Sequence, residues 1–389
     1  MNLTSQIRAQ VRIEADGEIK AKAWPDGQTV VLSWSNGRVK EKRATADSNQ
    51  DLPWLANPLF DPQINGFGGI DFQQDNLNES DLLVAVQGLR EAGCGRFLFT
   101  LITDEWDLML RRLQHVRRLR LQCPTLREAI AGWHVEGPFL SAQPGFRGAH
   151  PAGLMRDPCV ADIHRLRDTL SEDVILLTLA PERTGSMAAI RAAVDCGMRV
   201  SIGHTDASLE QIQQAVAAGA EGFTHLGNGC PQTLDRHDNI LWRVMDTKGL
   251  TVSLIPDTHH VTPVLFRALH RLFPEDRLFY TTDAISAAGS PPGTYPLGPL
   301  RIEVADDGIV RFPDQDNFAG SGLRPIDGVL RAAGMLRCSW RETWAGFSTR
   351  SAAWLDLATP LRTGEPARFC LINEGDDGNI ARLEIICPI

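Results

Sequence analysis

The feature that most constrains this chain is an eightfold alternation. Apolar or β-branched runs end in polar residues, and helical periodicity follows each of them. The runs are Trp54 to Gln63, Arg96 to Thr103, Ala129 to Glu136, Val174 to Pro181, Met198 to His204, Gly222 to Asn228, Leu250 to His260 and Leu278 to Ile285. Between them lie segments that include Ser80 to Ala92, Asp104 to Gln122, Val160 to Leu170, Ser186 to Asp195, Ser208 to Ala218 and Thr262 to Leu272. Ser80, Asp104, Ser208 and Thr262 stand where N-caps are needed. Alternation at this period implies an α/β fold with a parallel sheet, and eight units suggest closure into a (β/α)₈ TIM-like barrel. A doubly wound open sheet is the alternative.

The two ends of the chain read differently. Val11 to Glu14, Thr29 to Trp34 and Arg38 to Glu41 are short β-prone runs set apart by Asp-Gly, Asn-Gly and Pro-Asp turn signals. Ala367 to Asn373 and Ile380 to Cys387, around Asp376-Asp377-Gly378, follow the same pattern. The expectation is a small β-sandwich domain formed by residues 1–55 and 359–389, with the barrel over 56–358. Residues 286–325 carry much Gly and Pro and read as long loops after the eighth strand.

A formal net charge of -9 argues against a nucleic-acid surface, which needs clustered Lys and Arg. The one basic run, Arg111, Arg112, Arg117, Arg118 and Arg120, is interleaved with Leu110, Leu113, Val116, Leu119 and Leu121 at helical spacing and reads as a solvated helix face. The eight cysteines form no Cys-x-x-Cys pair and read as small buried hydrophobes in a reducing compartment. With no charged-then-apolar leader after Met1 and no apolar stretch long enough for a bilayer, a cytoplasmic location and no membrane partner are expected.

In a closed barrel the carboxyl ends of the strands share one mouth, so the polar residues that end the runs are the candidates for chemistry. Glu136, His204 and His225 end the third, fifth and sixth runs. One carboxylate and two imidazoles suit a catalytic Zn²⁺ with an open position for water. Asp283, at the end of the eighth run, is placed to act as general base. His134 shares a side of the pleat with Glu136 and reads as a supporting residue, while His115, His164, His237 and His270 read as surface residues. Asn65-Gly66-Phe67-Gly68-Gly69 lacks phosphate-loop spacing and reads as an ordinary tight loop.

At these residues the chain resembles the N-acetylglucosamine-6-phosphate deacetylase family of the amidohydrolase superfamily. The matching motifs are Asp61-Pro62-Gln63-Ile64-Asn65-Gly66, His134-Val135-Glu136-Gly137-Pro138-Phe139, Gly203-His204-Thr205, Thr224-His225-Leu226-Gly227-Asn228, Asp257-Thr258-His259-His260 and Thr282-Asp283-Ala284. The resemblance implies a metal on Glu136, His204 and His225, Asp283 as acid and base, and His150 polarising the acetamide carbonyl. It also implies substrate contacts at Ala149, His150, Asn228, Gly229, Arg236 and His260. Arg236 would reach into a neighbouring subunit, so a homodimer is implied, with an amino-sugar phosphate as the small-molecule partner.

Departures from the family pattern are informative. The His-x-His pair that holds a second metal in many amidohydrolases is here Gln63 and Asn65, so one divalent ion per chain, Zn²⁺, is expected. Thr258, Gly229 and Cys230 depart from the family pattern where substrate is held. In Ala319-Gly320-Ser321-Gly322-Leu323-Arg324-Pro325, Arg324 reads either as a surface arginine or as an extra sugar or anion contact. Hydrolysis of another amino-sugar phosphate or another amide, and a catalytically silent sugar-phosphate-binding role, are the alternatives.

Overall fold

The computed structural model of the protein describes residues 7–46, 51–298, 300–305, 309–312 and 320–388. Residues 1–6, at the start of the segment expected to carry no leader, and Ala319 of the late loop lie outside the described residues.

Eight parallel strands form the barrel: Leu59–Ile64 (β1), Cys94–Ile102 (β2), Ile130–Glu136 (β3), Ile175–Leu179 (β4), Arg199–Ile202 (β5), Gly222–Phe223 (β6), Thr251–Leu254 (β7) and Leu278–Tyr280 (β8). Each pairs with the next in sequence order. The seam between first and last is closed rather than open. Ile64 bridges Ala284 in parallel, and the Asn65 N–H donates to the Ala284 carbonyl at 2.7 Å. Asp61 bolts the seam from inside, accepting hydrogen bonds from Thr281 Oγ1 at 2.7 Å, Thr282 Oγ1 at 2.6 Å and the Thr282 N–H at 3.0 Å. Burial pushes its carboxyl up to about 6, against those hydrogen bonds. The strands are shorter than the sequence runs because the end of each run leaves the ladder to line the mouth.

Trp54 to Gln63 proves to be two strands. Trp54–Ala56 pairs with Phe369–Glu374 and Gly17–Ala23 in the sheet of the chain ends, whereas Leu59–Ile64 opens the barrel. Pro58, with no N–H to donate, separates them. That seven-stranded sheet runs Gln10–Ile13, Ile380–Cys387, Phe369–Glu374, Trp54–Ala56, Gly17–Ala23, Gln28–Ser35, Arg38–Ala44. Leu32, Trp34, Phe369 and Ile386 fill its own core. Gly17–Ala23 escaped the sequence reading because its buried positions are the alanines Ala21 and Ala23, too small to mark an apolar face.

The segment read as long loops after β8 contains an antiparallel sheet of Gly293–Leu297, Leu300–Val304 and Val310–Arg311. Leu297, Ile302 and Val304 bury there against Ile285 and Ala287, an alternation that the surrounding Gly and Pro obscure. Two caps also shift. Asn78 rather than Ser80 caps Glu79–Glu91, and Asp104 accepts from Arg112 at 2.7 Å while Trp106–Gln122 starts without a side-chain cap. Ser208 and Thr262 cap their helices.

The basic helix face is less solvated than its pattern implies. Arg112 pairs with Asp75 and Asp104, and Arg117 and Arg120 share Asp173. His270 is half-buried, its Nε2 2.8 Å from the Tyr280 hydroxyl, rather than at the surface. Cys94, Cys123, Cys370 and Cys387 are buried as expected, but Cys159 is exposed. No helix among the described residues is long and apolar enough to cross a membrane.

Candidate active site

Glu136 is the last residue of β3, and its Oε1 lies 2.9 Å from His225 Nε2 and 3.3 Å from His204 Nε2. All three side chains are buried, and their ligand atoms lie within 4.8 Å of one another. His204, His225 and Asp283 share an unusual backbone, with φ of +49°, +34° and +52°. Left-handed conformations cost non-glycine residues about 1–3 kcal/mol and persist where the surroundings impose them. Here they turn each side chain inward just after its strand has left the ladder.

Whether this set fits a cation is decided by the ring nitrogens. His204 Nδ1 lies 2.9 Å from the Phe146 carbonyl, which can only accept, so Nδ1 carries the proton and Nε2 offers its lone pair to the cluster. Burial disfavours charge on His225, yet the Glu136 carboxylate outweighs it and holds that ring above its usual pKa. Glu136 is held well below the usual carboxylate range, the two imidazoles overcoming its burial. One buried anion facing two ring nitrogens is the donor chemistry of a divalent ion of the zinc type.

Gln63 and Asn65, at the end of β1, do other work. Gln63 Nε2 donates to Glu136 Oε2 at 2.9 Å and to Asp283 Oδ1 at 3.0 Å, and Asn65 Nδ2 donates to the same Asp283 oxygen at 2.7 Å. Neutral amides thus link Glu136 and Asp283. Asp283 keeps Oδ2 without a protein partner among the described residues. Burial, then the Glu136 charge, pushes its carboxyl up to about 7, which suits a group that accepts and returns a proton.

His150 stands beside the cluster, its ring 4.5 Å from that of His204. Its Nδ1 lies 2.8 Å from Thr103 Oγ1 and accepts from the Thr103 N–H at 3.4 Å. A backbone N–H can only donate, so the ring proton sits on Nε2, free to donate into the mouth. Burial depresses the His150 pKa to about 3, so the ring is neutral. Ala149 precedes it, half-buried. Beneath the cluster, His134 Nε2 meets Thr178 Oγ1 at 2.8 Å, and a hydroxyl chain continues through Thr224 to Ser201. His134 supports the site from the layer below.

Asn228 Nδ2 donates to the His225 carbonyl at 3.2 Å. Gly229 has φ +59°, and a Cβ there would stand 2.8 Å from His204 Nδ1. His260 Nδ1 lies 2.5 Å from Asp257 Oδ2. Arg236 is exposed on the loop after β6, and its carbonyl accepts from Trp242 Nε1 at 3.1 Å. Arg324 is half-buried and forms two 2.7 Å hydrogen bonds to Asp327 and one to the Ile7 carbonyl. Asp61, Thr103 and Ser253, whose Oγ accepts from the His225 N–H at 2.7 Å, are positioning residues that only the closed barrel reveals.

Comparison with known proteins decides the family. A Homo sapiens N-acetylglucosamine-6-phosphate deacetylase is 31% identical over 355 residues, covering 86% of this chain and 83% of its own. The chain belongs to the N-acetylglucosamine-6-phosphate deacetylase family. A Danio rerio relative of that name is 34% identical over 259 residues, which span 64% of this chain and 63% of the relative. An N-acetylgalactosamine-6-phosphate deacetylase of Escherichia coli O157:H7 is 30% identical, the match covering 73% of each chain. Among solved structures, a mutant N-acetyl-D-glucosamine-6-phosphate deacetylase of Mycobacterium smegmatis, in complex with N-acetyl-D-glucosamine-6-phosphate, superposes with a TM-score of 0.82 at 27% identity, covering 95% of this chain and 98% of that one. No family model matches the sequence. The TIM barrel and the hydrolase assignment of this family are therefore those of the chain.

Proposed function

We propose that the protein hydrolyses the N-acetyl group of N-acetylglucosamine 6-phosphate, giving glucosamine 6-phosphate and acetate. The observation that carries this reading is the convergence of Glu136, His204 and His225 within 4.8 Å, with Asp283 and His150 beside them. Glu136, His204 and His225 would hold one divalent ion, Zn²⁺ by the chemistry of its donors. When bound, such an ion lowers the pKa of water and polarises a carbonyl.

The rest follows from the chain's own groups. Asp283 Oδ2 takes a proton from water as its oxygen attacks the acetamide carbon, while the Gln63 and Asn65 amides hold Oδ1 still. His150 Nε2–H donates to the carbonyl oxygen as negative charge develops on it. The C–N bond then breaks, the proton on Asp283 passes to the departing amine nitrogen, and acetate is released. Asn228, Gly229 and Ala149 line the sugar, and His260 and Arg236 take the phosphate through charge-assisted hydrogen bonds. Arg236 is exposed on the loop after β6, which supports its reaching into the partner of a homodimer. Eight free cysteines support a cytoplasmic location.

The Escherichia coli relative favours a second reading, in which the galactosamine epimer is the substrate. Acetate release from N-acetylglucosamine 6-phosphate, N-acetylgalactosamine 6-phosphate and unphosphorylated N-acetylglucosamine by zinc-replete protein tests both. The reading predicts the highest kcat/KM on the first and little on the third. Preference for the galactosamine epimer would select the second reading, and equal turnover without the phosphate would overturn the phosphate assignment.

A further inference from the structure

Opposite the mouth, where the barrel floor meets the sheet of the chain ends, three arginines are served by one carboxylate. Arg90 lies in the last turn of Glu79–Glu91, Arg96 is near the start of β2, and Arg368 precedes Phe369–Glu374. Arg90 and Arg368 are 5% and 7% exposed. Arg368 Nη2 pairs with Glu128. Among the described residues, neither Arg90 nor Arg96 pairs with a carboxylate, and Arg96 Nη2 donates to the carbonyl of Leu357. Arg368 Nη1 and Arg90 Nε are buried with no hydrogen-bond partner.

Arg96 and Arg368 line one small cavity of about 30 Å³, with Asn57, Ser348, Thr349 and Thr359 around it and no acidic residue in its wall. Gly95 lets them meet: a Cβ there would stand 2.8 Å from Pro58 Cβ and 3.3 Å from Arg368 Cδ. Burial lowers both guanidinium pKa values to about 10, with Arg96 adding to the effect on Arg368. Both groups therefore remain cationic at neutral pH. Buried charges are ordinarily paired, and a guanidinium cannot escape by neutralising. A second anion is missing from the polypeptide at this place. The cavity exceeds the roughly 10–15 Å³ that one water requires, which leaves room for a single monatomic ion.

We infer that the cavity between Arg96 and Arg368 is a binding site for one halide ion, chloride in the cell, which ties the sheet of the chain ends to the barrel floor. Such an ion compensates the charge that Glu128 leaves unmatched. Lying at the amino ends of the strands, it acts on stability rather than on chemistry.

Crystals of the metal-loaded protein soaked in bromide test this directly. An anomalous peak between the Arg96 and Arg368 guanidinium groups is expected; its absence in a well-ordered crystal overturns the site. In solution, replacing gluconate by chloride at constant ionic strength should raise the melting midpoint by on the order of 2 °C. The rise should vanish in Arg96→Met. An equal chloride response in wild type and Arg96→Met would overturn the assignment, and the bromide map on wild type decides the case if that variant fails to fold.

Discussion

Replacing Thr103 by Val isolates what His150 does. The Thr103 hydroxyl lies 2.8 Å from His150 Nδ1, and the Thr103 N–H, at 3.4 Å, is the second group holding that nitrogen as an acceptor. Valine keeps the shape and removes the closer donor. A buried neutral hydrogen bond is worth about 0.5–1.5 kcal/mol net, rising to about 3 kcal/mol when a partner is left unpaired. Because the backbone N–H remains, the lower part of that range applies. At 1.4 kcal/mol per tenfold, kcat should fall by roughly 2- to 10-fold. KM should change little, since His150 acts on a charge that grows during reaction. Metal content should stay at the wild-type value, because Thr103 touches no proposed ligand. Acetate release, followed beside elemental analysis, reads all three quantities, and Thr103→Ser should restore most of the rate. Wild-type turnover in Thr103→Val, or a Thr103→Ser protein as slow as the valine variant, would refute the claim that this hydroxyl helps to hold His150 for catalysis.

Asp283→Asn should lower kcat by about 10²–10⁴-fold with metal retained, the range for loss of a general acid and base; turnover within a few fold of wild type would exclude the role. Gly229→Ala should strip the site of metal, because the new Cβ would crowd His204 Nδ1 at 2.8 Å on a left-handed backbone, and elemental analysis reads the loss. Arg236→Ala should raise KM for the phosphorylated sugar while leaving kcat and metal content near wild type. Asp61 is ionised with difficulty in the fold, its pKa raised from 3.8 to about 6. A raised carboxyl stabilises the fold most below its unfolded pKa, and that contribution is lost as pH rises towards 6. Wild type should therefore gain stability relative to Asp61→Asn as pH falls from 7 to 5 in thermal melts, and a constant difference would contradict the raised value.

Much of this site was legible because barrel chemistry collects at strand ends, and strand ends are visible as polar residues closing apolar runs. Glu136, His204, His225 and Asp283 all stand there, and helices such as Val160–Leu170 and Ser186–Asp195 follow their periodicity residue for residue. What stayed hidden depends on closure. The hydrogen bonds from Thr281 and Thr282 to Asp61 span 220 and 221 positions of sequence and exist only because β8 returns to β1. The Thr103 tether of His150 crosses 47 positions between two loops with no shared pattern. Positive φ at His204, His225 and Asp283 leaves no mark in residue type, since tertiary context overrides the usual preference for glycine. The split at Pro58 was available in principle, but an unbroken apolar run around it outweighed one proline. Amide side chains at Gln63 and Asn65 raise the expectation of one metal rather than two; that they hold Glu136 and Asp283 in register needed the geometry.

The most direct test of the account is a zinc titration of chelator-treated protein, with acetate release from N-acetylglucosamine 6-phosphate measured at each addition. The account predicts negligible release without metal, a linear rise, and a plateau at one ion per chain. Full activity in the chelated protein, or a plateau at two ions per chain, would contradict a single ion on Glu136, His204 and His225 as the centre of the reaction.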